Sequence, residues 1–199
     1  MTTPLPRVAI AVPSGDMVHA DFTVSLAALC HGCASLDIHI LNTKSSIVAI
    51  ARNNAVAMAQ DAQVDYLWFV DSDMVFPPTT LLRLLIHQKD VVGATYVKRV
   101  APHPVLGTAL NPQPDTPPPG LLEMSRIPTG CLLIKMSVFD RLERPYFHFG
   151  INPDNGDIVG EDYLFCDKVR AAGMRIWCDG ALSHEIGHIG QTVHRRVPV

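Results

Sequence analysis

The chain has 199 residues, 48% of them hydrophobic, and a formal net charge of −3. That length and apolar content suit one domain with a sizeable core and exclude a disordered chain. The acidic balance argues against nucleic-acid binding, since Lys98-Arg99 and Arg195-Arg196 are only basic pairs.

The N-terminus shows no charged region followed by a long apolar stretch, so no signal peptide is read, and no apolar run reaches the length of a membrane span. Arg7 to Val12 is an apolar strand ended by Pro13-Ser14-Gly15. Phe22 to Cys30 reads as a helix. The five cysteines are an odd number and four sit among apolar neighbours. That pattern suits buried thiols in a reducing, cytoplasmic compartment. Cys30-His31-Gly32-Cys33 has CxxC spacing, but without a second pair it reads as a helix end and not a zinc site. Leu36 to Leu41 is a second strand. Ser45 or Ser46 is placed to cap a helix from Ile47 to about Asp61. Tyr66 to Val70 is a third strand, apolar throughout, as expected when both faces are covered. Pro77-Pro78 opens a helix from Thr79 to about Gln88, and Val91 to Val97 is a fourth strand.

This alternation predicts an α/β fold with a mostly parallel central sheet flanked by helices. Between Pro102 and Pro119 stand seven prolines, which read as an extended loop or lid. Leu121 to Arg126 and Gly130 to Lys135 follow as strands of a smaller mixed half. Ser137 to Leu142 is a short helix and Asn152 to Gly160 is turn-rich. Asp162 to Ala172 is a helix stopped by Gly173, and Arg175 to Cys178 is the last strand. The expected organisation is one domain over 1–199: a nucleotide-binding half to residue 100, the proline-rich loop at 101–120, and an acceptor and metal half from 121.

Asp71-Ser72-Asp73 follows the third strand directly. Two acids in a turn often only face solvent or cap the next helix. At the end of a buried strand they are also hard oxygen ligands for Mn²⁺ or Mg²⁺, and ligands of such sheets bind beyond the strand ends; both readings stand on this motif alone. Glu161-Asp162 opens a helix, where acids complement the dipole by roughly 0.3–1 kcal/mol. The alternative is a general base beside a substrate hydroxyl. His184-Glu185-x-x-His188 matches the HExxH zinc pattern, and His194 sits at the spacing of a third ligand. Against a zinc metallopeptidase, the motif's glycine falls at Gln191, and Gly187 and Gly190 weaken the helix that pattern requires.

Taken in order, four segments resemble the GT-A type glycosyltransferases, closest to the small family-2-like enzymes of bacteria and phages. These are Tyr66–Met74 (YLWFVDSDM), Ile127–Lys135 (IPTGCLLIK), Gly160–Gly173 (GEDYLFCDKVRAAG) and Trp177–Gly190. The resemblance spans nearly the whole chain and implies a GT-A, Rossmann-like fold that transfers sugar from a nucleoside-diphosphate sugar to an acceptor hydroxyl; inversion is the expected course, and retention stays open because GT-A folds host both. It implies that Asp73 binds the divalent cation and that Asp71 contacts the ribose or the metal. His188 is the preferred third metal ligand and His184 the second choice. Arg52 and Asn53 would lie near the nucleotide, against the alternative of an exposed helix face. Pro13 would end the first strand near the base, and Gly130 would lie by the sugar. Asp162, with Glu161 beside it, would be the general base if the enzyme inverts. The donor sugar, its nucleotide base, the acceptor and the oligomeric state are left open, and the alternatives are the zinc metallopeptidase on 184–188 and a non-catalytic nucleotide-sugar binder on the same fold.

Overall fold

Strand β1 (Arg7–Ser14) is buried along almost its whole length because strands cover both its edges and helices both its faces. In the computed structural model, which describes residues 5–111 and 120–190, the chain leaves β1 through helix α1 (Ala20–Gly32) and returns as β2 (Asp37–Lys44), parallel to β1. Helix α2 (Val48–Asp61) then leads to β3 (Tyr66–Val70), parallel to β1 on its other side. Short β4 (Met74–Val75), helix α3 (Thr80–Ile86) and β5 (Val91–Gly93) follow. The second half holds β6 (Thr108–Ala109), β7 (Leu121–Arg126), β8 (Cys131–Lys135) and a 3-10 turn over Met136–Arg141. After these come the hairpin β9 (Gly150–Ile151) and β10 (Ile158–Val159), helix α4 (Glu161–Ala171), β11 (Ile176–Asp179), short α5 (Gly180–Ser183) and β12 (Gly187–His188).

Eight strands form one mixed sheet in the order β2-β1-β3-β8-β5-β11-β7-β6. β1, β2, β3, β5 and β11 share a direction, while β8 and β7 run against it. Alternation along β3 divides its side chains between two cores. Leu67 and Phe69 pack with Ala55, Val56 and Ala59 of α2 and Phe165 and Val169 of α4. Trp68 and Val70 pack on the opposite face with Phe22 and Leu29 of α1 and Leu81 and Leu84 of α3. Five consecutive apolar residues are what a strand covered on both faces needs. No helix among the described residues is long and apolar enough to cross a membrane.

Three expected elements differ. The fourth strand stops at Gly93, not Val97, because Thr95 N–H donates to Ser183 Oγ at 3.0 Å and no longer to a neighbouring strand. The serines do not cap α2: Ile47 is the N-cap, and Ser45 Oγ accepts from Ile47 N at 3.1 Å just outside the helix. The described part of the proline-rich stretch is not an open loop. Val97 bridges Val105, Lys98 N donates to Pro104 O at 2.9 Å, and Thr108–Ala109 forms the edge strand of the sheet. Residues 112–119, with five of the seven prolines, and His194 lie outside the described residues.

Candidate active site

The sheet releases its chain at Val70, so Asp71 is the first residue beyond the buried strand. Its N–H donates to Gly130 O at 3.2 Å and its carbonyl accepts from Met74 N at 3.1 Å, which folds Asp71-Ser72-Asp73 into a tight turn. This turn closes one end of a groove of about 260 Å³ whose walls include Pro13, Ser14, Ser45, Ser46 and Ser72. Pro13 and the acidic triplet, 58 residues apart for Pro13 and Asp71, therefore line one cavity at the carboxyl ends of β1 and β3.

Arg52 is 3% exposed, so neither an exposed helix face nor the groove wall describes it. Its Nη2 donates to Asp71 Oδ1 at 3.0 Å and its Nε to Glu161 Oε1 at 3.1 Å. The guanidinium lies over the Phe69 ring, 5.4 Å from its centroid. Burial opposes its charge, but the Asp71 and Glu161 carboxylates more than offset that and hold the proton on more tightly than usual. Its third nitrogen, Nη1, is buried without a partner among the described residues. Asn53, expected at the nucleotide, spends its amide elsewhere. Nδ2 donates to Ala49 O and Phe147 O at 2.7 Å each, and Oδ1 accepts from Tyr146 N at 2.9 Å. It pins the 145–147 segment to α2.

β12 pairs antiparallel with β4, setting His188 opposite Met74, and Ile189 N donates to Asp73 O at 2.8 Å. His188 Nε2 thus lies 3.5 Å from Asp73 Oδ2. Nδ1 is 2.9 Å from Val97 O, so Nδ1 carries the proton and Nε2 keeps its lone pair when the ring is neutral. Burial works against the Asp73 carboxylate, but the hydrogen bond and charge of His188 and the charge of Arg99 bring it below its usual range. The bond to Asp73 raises His188. One carboxylate oxygen and one imidazole nitrogen side by side suit Mn²⁺, which completes its shell with phosphate and water. Among the described residues no cluster of three or more His, Cys, Asp or Glu is assembled for a metal. Asp71 is turned to Arg52, and Arg99 Nη1 donates to Asp73 Oδ2 at 2.8 Å. A cation held here would take Asp73 and His188 as its protein ligands and would compete with Arg99 for Asp73 Oδ2.

His184 is the exposed C-cap of α5 and, among the described residues, forms no metal-binding group with this pair. Since residues 187–188 are strand, the two HExxH histidines do not share a helix face, and the zinc-peptidase geometry is absent from 184–188.

At the start of α4, Glu161 is buried against Arg52. Burial and then the Glu161 charge push the Asp162 carboxyl up to about 6. Tyr96 Oη accepts from Gly130 N at 3.1 Å, and its ring meets the His188 ring edge-on with centroids 5.0 Å apart. Burial and then the Asp71 charge hold the Tyr96 phenol well above its usual range. A Cβ on Gly130 would strike the Tyr96 hydroxyl and stand 2.9 Å from Asp71 Oδ2, so only glycine fits there. Tyr96 and Arg99 were not among the residues the sequence motifs indicated. The one signal was carried by Arg99, which belongs to a basic pair just past an apolar run.

No protein-family model matches the chain, and no curated protein sequence matches it. Among solved structures it is similar to A197 from STIV, at 17% identity and TM-score 0.61, over 96% of this chain and 98% of that one. It is also similar to a UDP-glucose pyrophosphorylase complexed with UDP-glucose, at 10% identity and TM-score 0.50, over 87% and 90% of the two chains. A glycosyltransferase involved in the glycosylation of the major capsid of PBCV-1 aligns more loosely, at TM-score 0.40 and 12% identity over 68% and 63% of the chains, and the fold assignment does not rest on it. The fold is of the GT-A and nucleotidyltransferase-like Rossmann type, a mixed α/β sheet covered by helices on both faces. At these identities the likeness establishes the fold and leaves the activity to the site itself.

Proposed function

We propose that this protein is a divalent-cation-dependent glycosyltransferase that moves a sugar, with inversion, from a nucleoside-diphosphate sugar to an acceptor hydroxyl. The observation that carries this reading is Arg52. It ties Asp71, at the mouth of the groove, to Glu161, which is 109 residues away in sequence from Arg52 and adjacent to Asp162. A donor-side carboxylate and a candidate base are thereby fixed on one scaffold.

The groove between Pro13, Ser45 and Ser72 takes the nucleoside, with serine hydroxyls and strand-end backbone to bind ribose and phosphate. Asp73 and His188 would hold Mn²⁺ or Mg²⁺, which as a Lewis acid offsets the charge that develops on the leaving diphosphate. The acceptor oxygen bonds to the anomeric carbon while the bond from that carbon to the diphosphate oxygen breaks, its electron pair leaving with the diphosphate. The acceptor proton passes to the Asp162 carboxylate. With its pKa near 6, Asp162 is mostly ionised at pH 7 yet basic enough to take that proton.

A thermal-shift panel of UDP, GDP, ADP and dTDP with Mn²⁺ or with EDTA tests the donor half. A nucleotide at 100 times its dissociation constant should stabilise by about 2.7 kcal/mol. If none stabilises the protein in Mn²⁺, the reading fails; equal stabilisation in EDTA removes the metal from it.

A further inference from the structure

Among the described residues the groove presents carboxylates and no free cation. Its walls carry Asp71 and Asp73 but no lysine or arginine, Arg52 is buried and committed to two carboxylates, and Lys44 at the end of β2 pairs with Asp16. A sugar diphosphate brings two negative charges to Asp73, and one dication leaves that assembly one charge short of balance. Arg99 is the basic side chain already at Asp73.

Resting on the donor reading above, we propose that Arg99 is a movable counter-cation that neutralises Asp73 in the empty groove and grips the donor diphosphate when Asp73 turns to a divalent cation. Its guanidinium is bonded to Oδ2, the same oxygen that lies nearest His188 Nε2. A dication on that oxygen and a guanidinium on it repel at such range, so Arg99 has to leave for the cation to be held. Among the described residues Asp73 is its one bonded partner, and its side chain is 48% exposed, so it is free to leave.

The backbone beneath it stays fixed. Val97, two residues earlier, holds His188 Nδ1 through its carbonyl and bridges Val105, and Lys98 N is bonded to Pro104 O. A Cβ on Gly190 would stand 3.7 Å from Arg99 Cβ, an ordinary contact, so the root of the Arg99 side chain lies beside the backbone of residue 190. The anchored arm and long side chain let the guanidinium swing while its root does not. A planar fork of N–H donors matches two phosphate oxygens in a way a lysine ammonium does not.

The proposal predicts opposite signs for two affinities of one variant. Mn²⁺ binding to the protein alone is read by the free-Mn²⁺ electron paramagnetic resonance signal. Binding of UDP, GDP, ADP and dTDP at saturating Mn²⁺ is read by calorimetry. Arg99→Ala should tighten Mn²⁺ several-fold, because the ion no longer displaces a guanidinium. It should weaken the nucleoside diphosphate on the order of tenfold or more, the worth of a hydrogen bond to a charged group. Arg99→Lys should restore the competition with Mn²⁺ and only part of the diphosphate affinity. If Arg99→Ala leaves both affinities unchanged, or moves both in the same direction, Arg99 is a rim ion pair and the proposal is overturned while the donor reading stands. If the parent protein binds neither Mn²⁺ nor any of the four nucleotides, the donor reading falls and takes this proposal with it.

Discussion

The carboxylate of Glu185 is gripped by the guanidinium of Arg83 on helix α3, 102 residues earlier in the chain. In an HExxH peptidase that glutamate would be the general base; here it anchors the turn after α5 to α3. The pair is partly exposed, so breaking it costs at most about 1 kcal/mol. Glu185→Gln should leave nucleotide binding and sugar transfer unchanged. Asp162→Asn should lower turnover by about 10²–10⁴ with donor affinity nearly constant, because acceptor activation is not part of donor binding. An inactive Glu185→Gln beside an active Asp162→Asn would reverse the assignment of the base.

Arg52 is a positioning residue, and its loss should register in stability as well as activity. Removing one partner of a buried ion pair leaves the other charge uncompensated, at about 3–5 kcal/mol. Arg52→Met strands both Asp71 and Glu161, so we expect a loss of that order in urea unfolding. Arg52→Met combined with Glu161→Gln should recover part of it, since one stranded carboxylate is then neutral. If the double variant is no more stable than Arg52→Met, the Arg52–Glu161 contact contributes nothing measurable.

The raised pKa of Asp162 has two consequences of opposite use. In the unfolded chain an aspartate titrates near 3.9, and in the folded protein Asp162 titrates at about 6. Between these values the folded state holds the extra proton, so stability contributed by the protonated form is present at the acid end and lost as pH rises through about 6. Activity runs the other way, rising through the same window as the base is freed. Asp162→Asn should flatten the stability change between about pH 4 and 6 and abolish the rising limb of kcat. A rising limb that survives in Asp162→Asn with its midpoint unmoved would assign the titration to another group.

The parts of this site that the sequence makes legible are those set by local rules. Tyr66–Val70 is apolar at every position, which fixes both the strand and the exit of Asp71 from the core. Glu161-Asp162 opens its helix because acids suit a first turn. His188 reaches Asp73 through a two-residue strand too short to carry a period. What local rules do not carry is direction and pairing. Cys131–Lys135 is as apolar as a parallel strand, yet it inserts antiparallel between β3 and β5. Arg52, in the middle of an alanine-rich helix, differs in no local way from a solvent-facing arginine. Its burial follows from two carboxylates delivered by distant segments. Tyr96 and Arg99 follow a strand that ends four residues sooner than its apolar run suggests, because the sheet's pairing, not the hydropathy, sets the end.

Gly130 and Tyr96 give the last test, because their contact decides whether Asp71 can stay where it is. Gly130 bonds at both its backbone groups, its N–H to Tyr96 Oη and its carbonyl to the N–H of Asp71. A methyl at residue 130 would meet the tyrosine hydroxyl and stand 2.9 Å from Asp71 Oδ2, closer than real Cβ contacts come. Both neighbours are constrained, since Tyr96 is 7% exposed and Asp71 is held by Arg52. Gly130→Ala should therefore cost about 1–3 kcal/mol of overpacking and displace Asp71, weakening nucleotide binding in the groove it borders. Tyr96→Phe alone removes the acceptor for a buried backbone N–H, at about 1–3 kcal/mol, but leaves Asp71 in place. Combining the two removes the hydroxyl that the new methyl strikes but leaves Tyr96 Cζ at 2.8 Å and Asp71 Oδ2 at 2.9 Å, so the double variant should regain only part of the nucleotide affinity that Gly130→Ala loses. Calorimetry on the three variants, with unfolding curves to separate affinity from stability, measures this. If Tyr96→Phe gives Gly130→Ala no relief in affinity, the displacement of Asp71 does not run through the tyrosine hydroxyl.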